Sequence, residues 1–173
     1  RIESSEWIEI NDGIGTVICF AFGLPFHRRA SPSWLDTLLV VAGEERRRFQ
    51  FAIALDEGYP VREGLGLMTA GNSPVMALPT EPKTSRGWFL HVGARNIVAT
   101  HIDRLAASPA GIRVRLLETE GRESHTSLAA YRPFTAARTT DFRGNSTGVL
   151  SIREGRVEFD IAAHQWMQIE AEW

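Results

Sequence analysis

The sequence predicts an all-β fold, antiparallel and packed as a sandwich, and three observations carry that prediction. Apolar and polar residues alternate with period two in one segment after another, the pattern of a strand with one buried face. The segments are short and bounded by Gly, Pro, Asn or Ser clusters, as in sandwiches and barrels. Helical tendency is confined to 61–70, where Gly64 and Gly66 weaken it.

Taken in order, strands are expected at 15–21 and 34–41. Next, Phe49, Phe51, Ile53 and Leu55 should form a buried face, opposite Gln50, Ala52, Ala54 and Asp56. Strands follow at 88–92, 97–105, 112–118, 126–131 and 135–142. Segments 149–153 and 156–161 are separated by Glu154 and Gly155 alone, a two-residue connection that suits a tight hairpin. In the last two segments Val157, Phe159 and Ile161, then Met167, Ile169 and Ala171, alternate with polar neighbours. The stretch 79–85, rich in Pro, Thr and Ser, has no strand pattern and places a boundary between residues 1–83 and 84–173. No repeat of fixed period suggests a propeller or solenoid.

With 173 residues, the chain is long enough to bury roughly 70% of its unfolded surface without staples. Apolar residues make up 43% and charged residues 23%, ordinary proportions for a soluble globular protein. The longest apolar run, 14–26, is too short and glycine-rich to cross a bilayer, so no membrane partner is expected. A net charge of −2 gives no electrostatic reason to expect nucleic acid. Cys19, the only cysteine, reads as a small apolar residue and is compatible with a reducing compartment such as the cytoplasm. The chain opens on Arg1 without an initiator Met and runs at once into patterned sequence, as a piece of a longer protein would.

Few residues advertise chemistry. His101 and Asp103 share one face of a strand, as a metal edge requires, but two ligands do not make a zinc site. His27, Arg28 and Arg29 follow the loop Gly23-Leu24-Pro25-Phe26, where an anion or an acidic sugar face could be gripped. Five tryptophans offer stacking platforms for sugar rings, although Trp34 and Trp88 lie within strand patterns that would bury them. From these residues the binding reading is a carbohydrate-binding module using His27, Arg28, Arg29 and Trp34. No nucleophile elbow, phosphate loop or dinucleotide fingerprint occurs, and Gly64-Leu65-Gly66 opens no βαβ helix. No catalytic residue is assigned.

A run of motifs begins with Phe49-Gln50-Phe51-Ala52-Ile53-Ala54-Leu55-Asp56-Glu57-Gly58-Tyr59-Pro60, then Gly87-Trp88-Phe89-Leu90 and Asn96-Ile97-Val98-Ala99-Thr100. It continues through Gly111-Ile112-Arg113-Val114-Arg115-Leu116-Leu117-Glu118 to the closing pair Gly155-Arg156-Val157-Glu158-Phe159-Asp160-Ile161 and Trp166-Met167-Gln168-Ile169. In its order this run resembles the C-terminal β region of family 38 glycoside hydrolases, the α-mannosidase type. The resemblance implies the tail of a β-supersandwich at 1–83 and a small terminal sandwich at 84–173. It also implies an N-terminal catalytic domain of the same polypeptide, carrying the nucleophile and a divalent metal such as zinc. The piece itself would then be inactive, hold no cofactor, and pack against that domain. Thr100-His101-Ile102-Asp103 echoes the family's His-x-Asp metal element but falls where the C-terminal region has an ordinary strand, so no metal role is carried onto it.

Overall fold

The computed structural model describes residues 1–32, 34–69, 88–106 and 108–173. The chain is mostly β and divides into two compact units, Arg1–Pro74 and Val75–Trp173. The 79–85 stretch and the 83/84 boundary expected from composition lie outside the described residues.

The first unit contains β1 (Ile2–Glu3), β2 (Trp7–Asn11), β3 (Thr16–Phe20), β4 (Phe26–Ser31), β5 (Trp34–Thr37), β6 (Ala52–Leu55) and the helix α1 (Pro60–Thr69). They form two antiparallel three-stranded sheets, ordered β1-β4-β5 and β2-β3-β6. Pro60 opens the helix, where a missing N–H costs nothing. Gly64 then lets the helix approach closely, since a Cβ there would stand 3.1 Å from Phe20 Cε1. Cross-strand pairing puts Phe20 beside Ala52 and Ile18 beside Ala54, so these four residues share the face that α1 covers.

That arrangement reverses the expected sidedness of the 49–55 segment. Regular strand begins only at Ala52, and the alanines are half-buried while Ile53 is 70% and Leu55 68% exposed. Period two tells which residues share a face but not which face receives a partner. A second correction concerns His27, Arg28 and Arg29, expected after a loop and found inside β4. Pairing to β1 and β5 accounts for it: His27 lies opposite Ile2 and Thr37, and Arg28 opposite Asp36. Trp34 and Trp88 are likewise not core, at 69% and 56% exposed.

The second unit is the sandwich. It contains β7 (Leu90–Val92), β8 (Ile97–Arg104), β9 (Gly111–Glu118), β10 (Ser124–Ala130), β11 (Ala136–Thr140), β12 (Ser146–Val149), β13 (Ser151–Arg153), β14 (Arg156–Ile161) and β15 (Trp166–Glu172). One sheet runs β13-β14-β10-β7 and the other β12-β11-β15-β9-β8. Their inner faces meet in one core, with Val114, Leu116 and Ile169 from the larger sheet against Leu128, Val157, Phe159 and Ile161 from the smaller. Each of these alternates with an outward polar residue, which is why the pattern was readable. At the β13–β14 connection Glu154 and Gly155 both have positive φ, 51° and 73°, the geometry whose twist matches paired strands.

Candidate functional site

Of the residues singled out in the first unit, the structure brings His27 and Arg28 to one cleft of about 590 Å³, lined also by Arg1, Phe26, Asp36, Thr37 and Leu38. Arg29 and Trp34 do not line it. His27 is 3% exposed, and both ring nitrogens are engaged. Nε2 lies 2.9 Å from the Ser4 carbonyl, which can only accept, so Nε2 donates there, and Nδ1 lies 3.0 Å from the Thr37 hydroxyl. The imidazole therefore ties β4 and β5 to the segment ahead of β2. Arg28 pairs with Asp36 through Nη2 at 2.6 Å, and Arg29 donates to the Pro32 carbonyl. Arg1 stacks over Phe26 at 4.5 Å and pairs with Glu3. The basic appearance of the segment is thus offset by neighbouring acceptors.

Two His–Asp pairs lie on the surface of the second unit. His101 Nε2 contacts Asp103 Oδ2 at 2.7 Å on β8, and His125 Nδ1 contacts Asp160 Oδ1 at 2.7 Å across β10 and β14. In neither is a hydroxyl or thiol bonded to the ring among the described residues, so no nucleophile is paired with a base there. No three metal-ligating side chains come together among the described residues. The one His-x-Asp of the chain does not fit a metal edge, because its two groups are turned onto each other.

Two buried carboxylates have clear physical roles. Glu118, fully buried at the end of β9, accepts from Asn96 Nδ2, the Glu120 and Gly121 amides, and the His164 amide, all at 2.8–2.9 Å. Burial alone would raise its pKa, but these donors outweigh it and hold the carboxyl at about 2. Glu170 lies on the outer face of the larger sheet at 5% exposed, with Arg113 forked onto Oε1 and Arg138 onto Oε2. Burial again pushes upward and is overcome by the Arg138 and Arg113 hydrogen bonds and charges, leaving the carboxyl below its ordinary range.

Next to that clamp, Gln168 is 2% exposed and fully engaged. Its Nε2 donates to Thr140 Oγ1 and the Asp141 carbonyl, and its Oε1 accepts from Arg115 Nε. The lock fixes the floor of a cleft of about 440 Å³ between Thr139, Asp141, Phe142, Thr147, Gln165 and Trp166. Sequence reasoning missed this cleft. Phe142 and Trp166 are 24 residues apart, and only the pairing of Thr140 with Gln168 brings them together.

No helix among the described residues is long and apolar enough to cross a membrane. No family model matches the chain, and no curated protein matches it either.

Proposed function

We propose that the chain is a non-catalytic C-terminal β module of an α-mannosidase-like glycoside hydrolase of family 38, packed through its first unit against the catalytic domain of the same polypeptide. One observation carries this reading. The face of the β2-β3-β6 sheet opposite α1 presents Val17, Ile53 and Leu55, 40%, 70% and 68% exposed, with Ile10 and Cys19 beside them half-buried and Ile8, on the same face, buried. Contiguous apolar sheet surface of this kind marks a face built to be covered. The motif order described above, which resembles that of family 38, supports the hydrolase domain of the same polypeptide as the part that covers it. Carbohydrate binding by His27, Arg28, Arg29 and Trp34 draws less support, because the first three side chains are already bonded within the unit.

Two measurements test the proposal. The chain alone should hydrolyse no aryl α-mannoside, with or without added zinc, and metal-dependent turnover would overturn it. In the full-length gene product, Ile53→Asp and Leu55→Asp should each weaken the packing of the module by roughly 1.5–3 kcal/mol, seen as a lowered unfolding midpoint of the hydrolase domain. A reading frame that encodes no hydrolase domain would also sink it.

A further inference from the structure

We propose that the Phe142–Trp166 cleft on the outer face of the larger sheet is a binding site for a neutral glycan, taking a pyranose ring against the indole. The inference goes beyond the role proposed for the module and stands on the second unit alone. Trp166 is 50% and Phe142 57% exposed, and their rings meet edge to face, 6.5 Å apart at 82°. One aromatic therefore buttresses the other while both remain open to solvent. An aromatic face carries partial negative charge and attracts the C–H groups on the less polar side of a pyranose.

The polar lining fits the same class of ligand. Thr139, Thr140 and Thr147 line it with hydroxyls bonded within the unit, Thr147 to Thr139, Thr139 to the Gly148 carbonyl and Thr140 from Gln168, while Gln165 keeps its Nε2 free of partners among the described residues and its Oε1 accepts from the Ala162 amide. Asp141 is the only ionised group of the lining. Its oxygens are consumed by the Arg143 and Asn145 amides and by Asn145 Nδ2, and these bonds hold its pKa below the ordinary value. Uncharged donors and acceptors around an aromatic platform select a hydroxyl-rich, uncharged ligand over a phosphate-bearing one. The site is also rigid: Gln168 is locked as described, and Arg115 lays its guanidinium 5.3 Å from the Phe142 ring centre. The cleft volume lies within the range of small-molecule sites.

Titration of the whole chain with mannohexaose, cellohexaose and maltohexaose, followed by calorimetry and tryptophan fluorescence, tests the site. At least one should bind, and Trp166→Ala should weaken it about tenfold or more. Trp166→Tyr should retain most of the affinity, and Trp34→Ala should leave it unchanged. Phe142→Ala provides an independent check should Trp166→Ala lower the unfolding midpoint. The proposal is overturned by no heat or spectral response to any of the three at millimolar concentration. Binding untouched by both aromatic variants, or tighter binding of oligothymidylate than of every sugar, would also overturn it.

Discussion

Glu118 shows how a single buried charge can organise a turn. Four N–H donors converge on it from two segments, 119–121 and 164, and from Asn96. A glutamine there keeps one acceptor oxygen and replaces the other with a donor, so at least one amide faces an N–H instead of a partner. Glu118→Gln should therefore cost about 2–3 kcal/mol in urea unfolding. The pH dependence has a definite sign. The folded pKa of about 2 lies below the ordinary 4.5, so the contribution is present above 4.5 and is lost as pH falls toward 2. Across that window it amounts to something on the order of 3 kcal/mol, and the glutamine variant should show a correspondingly flatter acid limb. Glu170 illustrates a different balance, because its arginine partners are partly exposed and keep some of their hydration when the clamp is broken. None of these roles was legible in the sequence. Alternation gives Glu118 and Gln168 as polar residues of strands, and only the three-dimensional fold shows that their partners come from elsewhere in the chain.

At the scale of the element, α1 offers a contrast between two glycines two residues apart, on opposite sides of the helix. A side chain at Gly66 meets nothing within 4 Å, so Gly66→Ala should stabilise the protein by about 0.5–1 kcal/mol through helix propensity alone. Gly64→Ala should gain little or lose, because its methyl presses on Phe20 and the two effects oppose each other. Thermal unfolding of the two variants side by side checks the difference, and equal gains would show that the helix does not seat on Phe20. The helix itself was visible in sequence only as a weak tendency, since Gly64, which makes the close contact, and Gly66 both depress the propensity. Strands of the second unit were read with shifts of a residue or two at their ends, except β12, which was missed. In the first unit β1, β2 and β4 were missed; for β4, Pro25 and the run of basic residues imitate a turn, while its strand character comes from pairing with Asp36 and Thr37.

The whole molecule is uneven. The second unit holds a contiguous core of thirteen buried apolar residues, whereas the buried apolar residues among those described in the first are Ile8, Ile18, Phe20 and Ala21. Burial of that extent separates a unit able to offset its conformational entropy from one that needs additional cover. Expressed alone, residues 88–173 should unfold cooperatively with dispersed amide signals, while residues 1–69 should show a broad transition and bind hydrophobic dye. A sharp, independent transition for the shorter piece would contradict this division. Composition averaged over the chain hid the asymmetry, because 43% apolar residues describes both halves without saying which of them find partners.

The irregularity between Ala99 and His101 in β8 bears on how copies of the protein behave toward one another. β8 is an outer strand of the larger sheet, with unpaired backbone groups along one side. The irregularity twists that side, and Asp103 and Arg104 add charge to it, which disfavours in-register docking of a neighbouring strand. At the other unit's edge, β6 reads Ala-Ile-Ala-Leu, without a charge or a bulge. Backbone pairing between crowded copies is therefore expected along β6 before β8.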